Sequence, residues 1–344
     1  MMKTEKNIPA LRFPEFEGEW GKVKLEQITN RIGDGLHGTP EYVEDGNCFF
    51  INGNNLVNGK ININEQTKMV SQNSLDFHQK GLNEETILIS INGTIGSLAR
   101  YNQENVMLGK SVGYFIFREE SEFFFHHLST EKIQRHFFNE LTGTTIKNLS
   151  LKTLRETIVG FPSLPEQQKI ASFLSSVDQR IHLLTQKKEK LEQYKKGLMQ
   201  RIFSQELRFK PALSEVEGDE NGKDYPEWKY LKANTLFKNH TNKNHNGDLP
   251  ILSASQEHGM ILREDGGIKI QSSDKSVLSY KIVEKGDFVI SLRSFQGGID
   301  YSSIKGICSP AYTVLKNISA IYPVFYRYFF KKESFIKRLN IAVI

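Results

Sequence analysis

The sequence predicts an α+β protein in which two similar mixed α/β domains are joined by a long coiled-coil-forming helix. An internal repeat carries the first half of that statement. Leu11-Arg12-Phe13 returns as Leu207-Arg208-Phe209, and Glu19-Trp20 as Glu227-Trp228. Ile87-Leu88-Ile89-Ser90 returns as Phe288-Val289-Ile290-Ser291, and Ser111-Val112-Gly113-Tyr114 as Ser309-Pro310-Ala311-Tyr312. A displacement of about 200 residues is the size of a domain, well beyond the roughly 20–50 residues of a solenoid repeat. A heptad between the copies supplies the helix, and turn-rich β segments before and after it supply the rest.

The first domain is expected over residues 11–160. Gly33-Asp34-Gly35, Asn52-Gly53, Asn58-Gly59 and Asn92-Gly93 mark its turns. Aromatic and β-branched runs predict strands over 48–51, 86–91 and 112–118. Phe124, Leu128, Ile133 and Phe137 recur near helical spacing and predict one helix over 122–140. After Thr142-Gly143-Thr144-Thr145 the chain reads as extended up to Phe161-Pro162.

Residues 163–205 form the spacer helix. Ile170, Leu174, Val177, Ile181, Leu184, Leu191, Leu198 and Ile202 keep a 4–3 spacing, with Lys188 and Lys195 in the same frame. Ser163 is placed to cap the helix, with Glu166 as its capping-box partner and Pro165 in the first turn. From Pro165 to Phe203 the helix would run about 58 Å. An apolar seam that long needs a partner helix.

A linker over 206–227 follows, in which Pro211-Ala212-Leu213-Ser214-Glu215-Val216-Glu217-Gly218 reads as loop. The second domain then runs over 228–344. Its Glu333-Ser334-Phe335-Ile336-Lys337 matches Glu131-Lys132-Ile133-Gln134-Arg135. On that offset the counterpart of Gly143 falls just past Ile344. The expectation is therefore a C-terminally truncated second domain whose own long helix is missing. The unpaired seam then predicts a homodimer, a split partner chain or low stability. It also predicts an exposed apolar end at Ile341-Ala342-Val343-Ile344.

Composition is that of a soluble globular protein, with 38% hydrophobic and 25% charged residues in a chain of 344. No apolar run approaches the roughly 18 residues of a membrane span, and Met1–Asn7 lacks a signal-peptide core. The two cysteines, Cys48 and Cys308, form no metal or disulfide pattern. These features predict a cytoplasmic protein with no membrane partner. The net charge of +5 equals the excess within residues 165–210, where ten basic residues face five acidic ones. A basic stripe favours polyanions, and a solvated helix face reads the same way by charge alone.

The sequence gives little sign of catalysis. Ser309-Pro310-Ala311-Tyr312 is the nearest approach to the base-gripping loop of an adenine methyltransferase, and it reads better as a repeated strand. Gly33-Asp34-Gly35-Leu36-His37-Gly38 is a loose glycine loop that reads as a turn. His126-His127 reads as packing rather than a metal pair. No catalytic and no metal-binding residue is assigned.

The polar loops suit binding instead. Asn92 and Thr94 follow one repeated strand, while Arg293, Ser294 and Gln296 follow its counterpart. Arg, Asn and Gln can pair with base edges, and glycine lets backbone approach phosphate. Lys110, Ser111, Thr144, Thr145, Lys147 and Asn148 offer donors to phosphate oxygens. Matching strands that carry different loops would read two different half-sites. The competing readings are a coiled-coil scaffold that binds protein only and a free-standing nucleic-acid methyltransferase.

The chain resembles the specificity subunits of type I restriction–modification systems. Gly143-Thr144-Thr145, Leu149, Leu154, Ile158, Pro162, Leu164, Glu166-Gln167, Ile170, Leu174, Asp178 and Ile181 look like that family's passage from a target-recognition domain into its conserved helix. The starts around Trp20 and Trp228 look like its two domain openings. The resemblance implies a non-catalytic subunit that reads a split site on double-stranded DNA through two target-recognition domains. It implies that Glu166, Gln167 and the seam residues Ile170 to Ile202 serve helix pairing and docking of adenine methyltransferase subunits. Restriction subunits would join the complex. S-adenosylmethionine, ATP and magnesium would belong to the partners, leaving this chain without a cofactor.

Overall fold

A computed structural model describes residues 7–143, 147–208, 228–266 and 274–341. Thr144, Thr145, the loop segment 211–218 and the apolar end after Ile341 lie outside the described residues. The protein is mixed α/β with a long helix, Leu164–Phe203. It divides into two compact units, Met1–Thr185 and Gln186–Ile344.

Unit 1 is built on a four-stranded antiparallel sheet of β1 (Thr29–Asp34), β2 (Thr86–Ser90), β3 (Leu98–Arg100) and β4 (Val112–Phe117), in the order β1-β4-β2-β3. β2 and β4 are buried along their whole length, because the sheet is covered on both faces. Alternation along the strands sorts their side chains between two cores. Ile87, Ile89, Phe115 and Phe117 join one, while Leu88, Val112, Tyr114 and Ile116 join the other. The second core leads to a smaller sheet in which Cys48–Ile51 runs parallel to Val106–Leu108.

The helix expected over 122–140 is two helices, α1 (Ser121–Leu128) and α2 (Glu131–Asn139). The break is local chemistry. Ser129 Oγ donates to the Phe125 carbonyl at 2.8 Å and Thr130 Oγ1 to that of His127 at 2.7 Å, with Thr130 extended as the cap of α2. The stretch read as extended contains a third helix, α3 (Leu151–Glu156), capped by Ser150 Oγ, which accepts from Thr153 N at 3.0 Å. Six residues are too few to show a helical period. Only Ile158–Phe161 is a strand, paired antiparallel with Gly21–Lys24.

The long helix α4 (Leu164–Phe203) begins one residue before Pro165. The expected capping box does not form. The Ser163 carbonyl accepts from the amides of Glu166 and Gln167, while the Glu166 carboxylate turns to Arg12 and Trp20.

Unit 2 repeats the sheet. β5 (Phe237–His240), β6 (Phe288–Ile290), β7 (Asp300–Tyr301) and β8 (Thr313–Asn317) stand in the order β5-β8-β6-β7, again antiparallel. α5 (Pro323–Phe329) and α6 (Glu333–Ile341) follow, as α1 and α2 follow β4. One sequence echo needs correction. Leu88 lies opposite Tyr114, whereas its counterpart Val289 lies opposite Val314. Tyr312 is therefore not the structural equivalent of Tyr114. The match of Ser111–Tyr114 with Ser309–Tyr312 is two residues out of register, a slip that keeps side chains on the same face. No helix among the described residues is long and apolar enough to cross a membrane.

Candidate nucleic-acid interface

In unit 1 the predicted loop residues converge just beyond β2 and before β4. Gly53 N donates to Ser111 Oγ at 2.9 Å, and Ser111 Oγ donates to Asn52 Oδ1 at 3.0 Å. Thr94 Oγ1 donates to the Gly53 carbonyl at 2.8 Å and lies 3.1 Å from Ser90 Oγ, which itself donates to the Asn92 carbonyl at 2.9 Å. Asn92 bridges to Asn148, whose backbone also exchanges two bonds with Thr142. Gly53 must be glycine, since a Cβ there would lie 2.1 Å from Ser90 Oγ. Three loops that are distant in sequence are thus clasped by backbone and hydroxyl groups.

This clasp assigns the residues different tasks. Thr94 and Ser111 use their hydroxyls to hold loops together. Lys110 and Lys147 are exposed, and the side-chain amides of Asn92 and Asn148 have no hydrogen-bond partner among the described residues. Asn52 and Gly53 were legible only as a turn, because their partners lie about forty to sixty positions away.

Unit 2 solves the same problem with other residues. β6 runs into a short helix, Ser294–Gly297. Ser294 is buried and its Oγ accepts from Ser291 N at 2.9 Å. Ser294, one of the candidates for DNA contact, thus supports the loop from within. Arg293 and Gln296 are exposed, and Gln296 Oε1 accepts a long bond of 3.4 Å from Gln256. Beneath them Asp300 is buried, and burial raises its pKa although Lys331 lies 2.8 Å away.

The helix face is more divided than the heptad predicts. Glu166 and Gln167 are not on an open face. Glu166 is 1% exposed, and its Oε1 accepts from Arg12 Nε at 2.7 Å and Trp20 Nε1 at 3.0 Å, while Oε2 accepts from Arg12 Nη2 at 2.6 Å. Gln167 Nε2 donates to the Pro162 carbonyl. Both residues fasten the helix start to unit 1, because an unpaired carboxylate there would be costly to bury. Ile170 and Leu174 are partly covered, and Ile170 packs on the unit 1 core. Leu198 and Ile202 are half-buried in unit 2, beside Phe203, which packs edge-on against Trp228, Phe325 and Phe329. The middle is open: Val177, Ile181, Leu184 and Leu191 are exposed apolar residues, Ile181 at 57%. The basic stripe is partly paired, by Lys188–Glu192, Lys196–Glu333 and Arg201–Glu206.

His126 and His127 belong to the packing of α1. Burial, with Lys132 adding to it, lowers the pKa of His127 to about 4, and its Nε2 accepts from Gly160 N at 3.1 Å. Burial would raise the pKa of Glu122, but bonds from Arg100 and Ser175, with His126 Nε2 3.1 Å from the carboxylate, hold it well below the usual carboxylate range. Among the described residues no group of three or more His, Cys, Asp or Glu is arranged to hold a metal ion.

Comparison with known proteins gives this arrangement a family. A family model described as the type I restriction modification DNA specificity domain matches residues 17–193. The chain is 27% identical over 216 residues to the specificity subunit of the type I restriction enzyme MjaVIII of Methanocaldococcus jannaschii, covering 60% of this chain and 50% of that one. It is 29% identical over 185 residues to the MjaIX specificity subunit of the same organism, covering 52% and 40%. The chain thus spans about half the length of the curated relatives it matches. A crystal structure of a type I restriction–modification S subunit from M. genitalium superposes with a TM-score of 0.51 at 16% identity, over 98% of this chain and 82% of that one. A chain from a structural study of the assembly and conformational transition of the type I system gives 0.51 at 14%, over 93% and 81%. At that identity the two superpositions establish the fold. With the family model matched across just over half of its residues, the chain belongs to the type I restriction modification DNA specificity family.

Proposed function

We propose that this chain is the DNA-reading, non-catalytic subunit of a type I restriction–modification complex, working in the cytoplasm on a bipartite double-stranded target. Residues 11–160 form one target-recognition domain and residues 228–344 a second. Residues 163–205 form the spacer between them. The observation that carries the reading is the shared sheet order of the two units, with different polar side chains on equivalent loops. Asn92, Lys110, Lys147 and Asn148 would meet the DNA in one unit, and Arg293 and Gln296 in the other. Thr94, Ser111 and Ser294 shape those loops. Lysines fix register through phosphate, while Arg, Asn and Gln read base edges. Thr144 and Thr145 remain candidates for phosphate contact.

The exposed seam Val177–Ile181–Leu184–Leu191 is the proposed surface for helix pairing and for seating adenine methyltransferase subunits, with restriction subunits joining through them. S-adenosylmethionine, ATP and magnesium act on those partners in this reading. The test is co-purification with the methyltransferase subunit, followed by genome-wide mapping of methylated adenines. A split sequence motif is the expected result. Complex formation without sequence-dependent methylation would favour a protein-binding scaffold, and methyl transfer by the isolated chain would overturn the division of labour.

A further inference from the structure

β1 ends at Asp34 and runs into the loop Gly35-Leu36-His37-Gly38. That loop is laced to the segment leading into β4. Gly35 N donates to the Val112 carbonyl at 3.0 Å and Leu36 N to that of Leu108 at 2.7 Å, and Leu36 bridges to Gly109. The approach is so close that a Cβ at Gly35 would lie 2.3 Å from the carbonyl oxygens of Leu108 and Gly109. Gly109 in turn is pressed on Asn52, since a Cβ there would lie 2.4 Å from Asn52 Oδ1. That oxygen is the one that accepts from Ser111 Oγ. The loop therefore joins the clasp that carries Asn92 and Lys110, as a further segment remote from them in sequence.

One side chain of this loop is held in place yet buries little. The His37 side chain is 71% exposed, and its Nε2 lies 2.7 Å from Asp34 Oδ2. An ionised carboxylate only accepts, so Nε2 donates and Asp34 sets the direction of the ring. Nδ1 has no hydrogen-bond partner among the described residues. The pair carries no net positive charge in either protonation state of the ring, so it gives a phosphate no attraction. A fixed imidazole with one nitrogen spare suits a base edge instead, where amino groups and ring nitrogens offer partners. Unit 2 has other residues at this place. Gly33 lies opposite Tyr114 and His240 opposite Val314, so Thr241 and Asn244 follow there as Asp34 and His37 follow in unit 1.

We propose that His37 is a base-reading residue of unit 1, meeting a base edge in the major groove through Nδ1, with Asp34 as the residue that positions it. Lys110, next to the bridged Gly109, supplies the phosphate contact that the pair does not. The inference rests on the proposed DNA-reading function and adds a loop to one half-site only, because unit 2 lacks the pair.

The test is selection of a randomised duplex DNA pool on the full chain, with sequencing of the bound fraction. The wild type should yield a split motif. His37→Ala should lower discrimination at one position of one half-site by about tenfold and leave the other half as it was. His37 is exposed, so the fold should be kept, as circular dichroism would verify. Asp34→Ala should relax the same position, although loss of a carboxylate by itself favours binding to DNA. Asp34→Asn, which keeps an acceptor, should restore part of the selection. Lys110→Ala should weaken binding with the motif kept. A motif that His37→Ala leaves unchanged, whether binding holds or weakens uniformly, overturns this inference and leaves the proposed function standing. A wild type that selects no motif overturns both.

Discussion

The indole nitrogen of Trp20 donates to Glu166 Oε1 at 3.0 Å, joining residues 146 positions apart. With the two bonds from Arg12, it fixes the start of the long helix on the N-terminal part of unit 1. Trp20→Phe keeps most of the ring packing and removes one donor to a buried carboxylate. A loss of about 1.5–3 kcal/mol is expected, measurable by urea unfolding. Glu166→Ala leaves Arg12 without its partner. Faster hydrogen exchange over residues 165–172 is the expected sign that the helix start has loosened.

The loop residues make separable predictions on DNA. Lys110→Ala and Lys147→Ala should weaken binding alike on all sequences and lower the salt slope by about one each. Arg293→Ala should cost about 1–3 kcal/mol on the preferred target and relax selection at one position. Anisotropy titrations at several salt concentrations, on matched and altered targets, separate the two outcomes.

The open seam predicts that fold and assembly come apart. Ile181 and Leu184 are both exposed, so Ile181→Glu with Leu184→Glu should shift the stability of the chain by no more than about 0.5 kcal/mol per site. Association with a partner helix or a methyltransferase subunit should be lost. Co-purification followed by size-exclusion chromatography reads both effects.

His127 sets an acid limit on unit 1. Its folded pKa is lowered from 6.5 to about 4, and the neutral ring accepts from Gly160 N. Between those values the unfolded chain takes up a proton that the folded chain refuses. Stability should be fully present above pH 6.5 and decline as the pH falls toward 4, by on the order of 3 kcal/mol. Glu122, whose folded pKa is also lowered, adds a further loss only below pH 4.5. His127→Gln keeps an acceptor and should flatten the first decline in thermal melts taken between pH 7 and pH 4.

Much of this molecule is legible in its sequence where signals are local or periodic. β2, β4 and α4 announce themselves through apolar runs and a heptad, and the repeat places β6 by analogy with β2. The short helix α3 is hidden because six residues carry no period, and the break at Ser129-Thr130 because two hydroxyls override an apolar pattern. The burial of Glu166 is hidden for another reason. A glutamate three residues after a serine reads as a cap, and nothing nearby reveals that Arg12 and Trp20 compete for it. The loop candidates could be named, but not sorted into those that brace the loop and those that face outward. That distinction depends on partners such as Gly53 and Ser291, which only folding brings near.

The clasp around Gly53 and the buried hydroxyl of Ser294 have a consequence for how such a protein changes over time. Both loops are held by backbone groups and small hydroxyls, while the side chains of Asn92, Lys110, Lys147 and Arg293 take no part in holding them. Substitutions at those four positions therefore draw little on the stability margin, and mutation can sample new outward chemistries there without first repairing the fold. Gly53 and Ser294 have no such freedom. Tolerance and constraint sit a few residues apart on the same loops.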